Sequence, residues 1–217
     1  MPQTFAKNAN IWARLILWGG LGGLIIYTTT SWAVFQSSWA TGEDRVLEQP
    51  VPFSHEHHVA GVGLDCRYCH TTFETSRFAG LPPSETCLHC HAHLYPDAPY
   101  LAPVRDSFRT GEPVAWQRVN DLPDFVYFDH SAHVAAGVGC ETCHGRVDRM
   151  PLMAQGAPLT MAWCVDCHEA PWAHLRPPDA VTEMGWTAPG GDAVAYGRRL
   201  AAERGIAPDT SCSTCHR

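Results

Sequence analysis

The chain has 217 residues, 45% of them hydrophobic, and 15 Lys and Arg against 22 Asp and Glu give a formal net charge of -7. That acidic balance argues against nucleic acid as a partner, and 18 Gly with 17 Pro argue for irregular backbone over long regular elements. The distinctive content is 10 Cys and 13 His.

From the N-terminus, Leu15 to Phe35 is 21 residues without a charge, long enough to cross a bilayer as one helix. Lys7 and Arg14 precede it and Glu43 and Asp44 follow, so the positive-inside rule puts Met1 in the cytoplasm and the chain after about Ser37 outside. Trp12, Trp18, Trp32 and Trp39 fall partly at the two interfaces. The rival reading is a cleaved signal peptide, with its apolar region ending near Tyr27 and small residues Ser38 and Ala40 around the cut. Gly19-Gly20, Gly22-Gly23 and Thr28-Thr29-Thr30 speak for that rival, whereas a chain beginning at Met1 speaks for a retained anchor. Both export the rest. The expectation is an anchor at 1–40 in the cytoplasmic (inner) membrane and a periplasmic domain at 41–217. The four glycines also permit close helix approach, so a neighbouring transmembrane helix is expected.

After a polar, proline-ended connector from Thr41 to Pro52, every cysteine falls in a C-x-x-C-H unit: Cys66/Cys69/His70, Cys87/Cys90/His91, Cys140/Cys143/His144, Cys164/Cys167/His168 and Cys212/Cys215/His216. This is the attachment signature of c-type haem, in which two thiols bond the porphyrin and the following imidazole meets the iron. Zinc ribbons also use C-x-x-C pairs, and ten cysteines could form a disulfide framework, yet neither requires the histidine. At this composition His would follow all five units by chance on the order of once in a million. Five porphyrins would then supply much of the apolar interior. Covalent attachment outside the cytoplasm agrees with the export signal.

Within this region the chain repeats itself. Phe53-Ser54-His55-Glu56-His57-His58-Val59-Ala60 precedes Cys66 as Phe128-Asp129-His130-Ser131-Ala132-His133-Val134-Ala135 precedes Cys140, with first-His-to-Cys offsets of 11 and 10. Another motif follows each copy, at Cys87 and Cys164, giving two di-haem units plus one haem. Histidines three apart share one face of a helical turn, so His55, His58, His130 and His133 are expected to ligate the far side of four irons. For the fifth iron Met161 is the first choice, with Met150 and His174 behind it; His57 and His89 are expected to face solvent or propionates. A methionine would raise that haem's potential.

The gaps say less. Asp121 to Phe128 ends in an apolar run that reads as extended chain. Between Glu169 and Ser211, Pro171, Pro177, Pro178 and Pro189 enforce irregular backbone, only Val194 to Arg204 looks helical, and the segment reads as a docking surface or a spacer.

The di-haem units resemble those of class III multihaem cytochromes c. Three stretches, Ala79 to Ser84, Asn120 to His130 and Ala157 to Cys164, resemble the membrane-anchored pentahaem cytochrome c subunit of alternative complex III, and the resemblance runs from the anchor to the last motif, weakest between Glu169 and Ser211. It implies a mainly irregular fold with short α-helices, a multihaem cytochrome c domain on a single N-terminal transmembrane helix. It also implies an electron-transfer subunit of a quinol:acceptor oxidoreductase with no catalytic site of its own. The implied partners are an iron-sulfur subunit, polytopic quinol-binding membrane subunits, a monohaem cytochrome c and a downstream cytochrome or oxidase acceptor. Two other functions fit parts of the pattern: a stand-alone membrane-anchored quinol dehydrogenase feeding periplasmic reductases, and a haem enzyme with an open iron site.

Overall fold

The computed structural model describes residues 4–216; residues 1–3 and 217, which close the two expected domains, lie outside it. The chain divides into two compact units between Gly42 and Glu43, two residues beyond the expected boundary.

In the first unit, helix α1 spans Ala9–Phe35 and buries no residue. Its 27 residues at about 1.5 Å each reach about 40 Å, more than the roughly 30 Å of a bilayer's hydrocarbon. Apolar side chains are exposed all round it, from Ile11 and Leu15 to Ile26 and Phe35, as suits a helix solvated by lipid rather than by one packed face. The threonine run is compatible with such a setting. Thr28 Oγ1 donates to the Leu24 carbonyl at 2.9 Å and Thr29 Oγ1 to the Ile25 carbonyl at 2.8 Å, so these hydroxyls are satisfied inside the helix. A short α2, Ser38–Thr41, follows and stops at Gly42, which takes a left-handed conformation.

The second unit has no strand among the described residues, only isolated bridges such as Val126 with His216. Short helices carry it: α3 Cys66–Cys69, α4 Ser84–His91, α5 Ala102–Thr110, α6 His130–Ala136, α7 Glu141–His144, α8 Met161–Glu169, α9 Ala193–Arg204 and α10 Cys212–Cys215. Side chains start several of them, with Asp65, Asp129, Thr160 and Asp192 accepting from backbone N–H groups in the first turns of α3, α6, α8 and α9. Each C-x-x-C therefore occupies one helical turn, which sets its two thiols, three residues apart, on one face.

The protein core is thin. Among the described residues only Leu175 and Val181 are fully buried large side chains, and a small cluster of Val51, Leu101 and Val104 supports Cys87 and Leu88 of α4. So little buried apolar surface would not hold this many residues alone. The proline-rich stretch after Glu169 proves to be a brace. It supplies both of those buried side chains and carries α9, which crosses a 3-10 turn at Pro171–His174 so closely that a Cβ on Gly197 would lie 1.8 Å from the Trp172 carbonyl oxygen. Its Arg176, buried, pairs with Glu141 of α7 at 2.8 Å and donates to the Glu183 carbonyl at 2.8 Å.

Candidate haem-binding sites

The two sequence repeats are two copies of one structure. Phe53 stacks on His58 with centroids 4.3 Å apart and meets His55 edge-on at 4.9 Å; Phe128 stacks on His133 at 4.5 Å and meets His130 edge-on at 4.8 Å. In each copy the phenyl ring wedges between the two imidazoles and fixes their directions. The extra residue of the first copy is absorbed locally. His130 and His133 ride the α-helix α6, whereas the turn after His55 widens into a π-helix over Glu56–Gly61, where Val62 N donates to His57 O five residues back.

Three of these histidines pair with a motif histidine. Ring centroids lie 6.2 Å apart for His58 and His91, 6.2 Å for His130 and His144, and 5.9 Å for His133 and His168. Metal–imidazole bonds of about 2 Å place the centroids of two rings on opposite sides of one iron about 6 Å apart. His55 is near enough to His70 to feel its charge.

The hydrogen bonds select the ligating nitrogen. Nδ1 donates to a backbone carbonyl in His58 (Ser54, 2.8 Å), His70 (Gly80, 2.7 Å), His91 (Leu94, 3.0 Å), His130 (Arg77, 2.8 Å), His133 (Asp129, 2.7 Å), His168 (Asp209, 2.9 Å) and His216 (Phe125, 3.2 Å). A carbonyl only accepts, so Nδ1 carries the proton and Nε2 is left with a free lone pair for a metal. In His144 the partner is the Asn120 amide at 3.1 Å, and Asn120 Oδ1 is buried without a partner. Turning that amide over satisfies both groups, with Oδ1 accepting from Nδ1–H. The His55 Nδ1 is buried and unpartnered.

Burial favours the neutral form of four of these rings, as ligation requires. It pushes the His55 imidazole down to about 4, helped by His70 and His58, and His144 down to about 4, helped by His130, His70 and His55. His58 and His133 are lowered as well, burial again leading.

None of the ten cysteines is in a disulfide, and among the described residues no three His, Cys, Asp or Glu side chains converge as a metal site. Large apolar side chains such as Phe78, Leu81, Phe125 and Met161 stand exposed close to the motifs in sequence, as surfaces that face a porphyrin would.

The thiols are not equivalent, although the motif repeats the same residues five times. Cys66, Cys69, Cys87, Cys140, Cys143, Cys164, Cys167 and Cys215 are half-buried, whereas Cys90 and Cys212 are exposed. The difference follows from what packs beside each turn. On α4 the Val51, Leu101 and Val104 cluster covers Cys87 and Leu88 and does not reach Cys90, in the last turn of the helix. Cys212 opens α10, and no buried apolar cluster packs against it among the described residues. At these two positions the protein supplies little apolar cover of its own, and a porphyrin attached there would have to provide it.

Residues 126–217 match the family model of cytochrome c7 and related cytochrome c. Over 146 residues the chain is 34% identical to the menaquinone reductase multihaem cytochrome c subunit of Nitratidesulfovibrio vulgaris (strain Hildenborough), across 65% of this chain and 66% of that protein, just short of two thirds of its length. The chain carries a multihaem cytochrome c domain. Such a domain binds c-type haem, with iron, and transfers electrons.

Within this cytochrome domain the remaining candidates separate by position. His57 and His89 are exposed, and His89 Nδ1 meets Tyr68 Oη at 3.2 Å. Met150 lies at the third motif, its Cε 3.3 Å from where a Cβ on Gly145 would be, and the His174 carbonyl accepts from Gly139 N ahead of that motif. Met161 opens α8, one turn before Cys164, and is 73% exposed. Asn120, Asp129 and Asp209 were not legible as site residues, because two of them act through backbone carbonyls that any residue supplies; only the N-cap aspartates left a sequence signal.

Proposed function

We propose that the cytochrome domain holds five c-type haems and relays single electrons within a membrane-bound quinol-oxidising assembly of the alternative complex III type. Thioether bonds from the ten cysteines would hold the porphyrins, and the axial pairs would be His70 with His55, His91 with His58, His144 with His130, His168 with His133, and His216 with Met161. Bound in this way, each haem supplies reversible one-electron exchange at its iron. The chain's residues fix the separations, exclude water and tune the potentials through the Nδ1 hydrogen bonds. The observation that carries the reading is the set of three histidine pairs at 5.9 to 6.2 Å, each joining an upstream repeat to a different motif. Paired imidazoles holding each iron would favour electron transfer over substrate chemistry there. For the fifth site, Met161 is favoured because its helix also carries His168, which bonds Asp209 ahead of the last motif, whereas Met150 and His174 lie around the third.

Helix α1 would anchor the domain in the inner membrane with the haems in the periplasm. Iron-sulfur and quinol-binding subunits would then be the electron source, and a monohaem cytochrome or an oxidase the acceptor. A second reading follows from the name of the Nitratidesulfovibrio relative, a menaquinone reductase subunit: electrons would run the other way, towards menaquinone. Purifying the native assembly and assaying it with a quinol plus oxidised cytochrome c, and with a quinone plus reduced donor, separates the two. Faster quinol oxidation supports the first direction. Turnover by the isolated subunit alone would instead support a stand-alone quinol dehydrogenase.

A further inference from the structure

The contacts between attachment motifs specify their order in space, which differs from their order in sequence. The first and second motifs meet where Tyr68 Oη of the first contacts His89 Nδ1 of the second at 3.2 Å, and Cys69 lies beside Cys87. One short turn, carrying His55 and His58, faces both.

The first motif also meets the third, 74 positions away from Cys66 to Cys140. Thr182 Oγ1 donates to Asp65 Oδ2 at 2.9 Å and accepts from Arg67 Nη1 at 2.8 Å, while its neighbour Val181 accepts from Cys140 N at 2.9 Å. The Cys66 and Cys140 thiols are near enough to shift each other's proton affinity, and His130, His70 and His55 act on His144 in the same way. His130, the partner of His144, takes its Nδ1 acceptor from Arg77 in the loop after the first motif. Helix α6 then joins the third motif to the fourth, with His130 against His144 and His133 against His168, and Cys143 lies beside Cys167 and Cys164.

The fourth meets the fifth through Asp209. Its carbonyl accepts from His168 Nδ1 at 2.9 Å, and its carboxylate accepts from Ser211 N, Ser211 Oγ and Thr214 Oγ1 around α10. Cys164 lies beside Cys215.

We propose that the chain arranges its five attachment motifs as second, first, third, fourth, fifth, so that the first motif in sequence is interior and the second and fifth are the two ends open to external redox partners. The two exposed thiols, Cys90 and Cys212, belong to those two end motifs. This order rests on the five-haem reading above. The consequence is that the second motif, on α4, and not the first, is the terminus opposite the fifth. The placement follows from the brace at Val181 and Thr182, which draws the third motif onto the first and leaves the second on the outside.

Diffraction from the purified full-length holoprotein, recorded at the iron absorption edge, tests this directly. Each iron is assigned by the cysteines it is attached through. The expected result is five irons whose nearest-neighbour pairs are second–first, first–third, third–fourth and fourth–fifth. Five irons with the second lying closer to the third than the first does would overturn the order while leaving the five-haem reading intact. Fewer than five irons would overturn that reading and the five-member order with it.

Discussion

The ring planes of His130 and His144 are near-parallel, 6° apart with 6.2 Å between centroids, whereas His58–His91 and His133–His168 are turned by 57° and 60°. The angle between axial imidazoles sets the splitting of the iron d orbitals, so the parallel pair is expected to give a low-spin resonance of its own, more rhombic than the others. Replacing His130 with Ala should abolish that signal, add one haem's worth of high-spin intensity and leave the other low-spin signals in place. An unchanged low-temperature paramagnetic resonance spectrum would remove His130 from the ligand set.

Asn120 is the only side-chain partner among the Nδ1 bonds of the ligand histidines described above. Asn120→Ala leaves a buried imidazole N–H without an acceptor, at a cost of about 1–3 kcal/mol, and takes electron density from that ring. The midpoint of a single haem should therefore rise in a redox titration, and Asn120→Asp should lower it. A uniform shift of all haems would point to a general structural effect instead.

The aromatic wedges set ligand direction. Phe128→Ala is expected to destabilise the domain by about 2–3 kcal/mol, below the value for a fully buried ring because Phe128 is only half-buried. It should also broaden the signals of the two haems that His130 and His133 serve. Thermal unfolding and paramagnetic resonance on one sample check both, and sharp, unshifted signals would mean that the ring only fills space.

Arg176 is the buried half of an ion pair whose Glu141 partner belongs to the turn holding Cys143 and His144. Arg176→Ala should cost about 3 kcal/mol by stranding that carboxylate, with a lower unfolding temperature and incomplete haem loading centred on the third motif. Full loading at unchanged stability would show that Arg146 and the Gly185 N–H, which also reach Glu141, suffice alone.

For the anchor, intact-mass analysis of protein from washed membranes is expected to find α1 present with five haem additions. Deleting residues 1–40 and supplying a cleavable export signal should release a soluble, fully loaded domain. A mature chain beginning near Ala40 would establish the signal-peptide reading.

The attachment turns, the two histidine pairs and helix α9 were legible because each rests on residue identity at short spacing. His55 to His58 and His130 to His133 announce a shared face, and Val194 to Arg204 reads as helical. The brace was not legible. Its work is done by Leu175, Val181 and Thr182 within a proline-rich run that has no periodicity, and by pairings such as Thr182 with Asp65, 117 residues apart. The acceptors at Gly80, Leu94 and Phe125 were equally hidden, since their main-chain oxygens carry no mark of residue type. The exposure of Cys90 was hidden too, because the motif is identical in all five turns and the difference lies in what packs beside them.

The π-helix at Glu56–Gly61 shows how a duplicated unit tolerates a change of length. The two copies differ by one residue between ligand and cysteine, yet Phe53 holds its imidazoles as Phe128 holds its own. The slack is taken up in the turn that carries His58 and leads on towards Cys66, which can be wound loosely or tightly. Excising one residue at Val62 should tighten that turn to an ordinary α-helix and make the halves superimpose, with the metal-facing nitrogens unmoved. In such a molecule the ligands are the fixed points, and the loop length between them is free to drift.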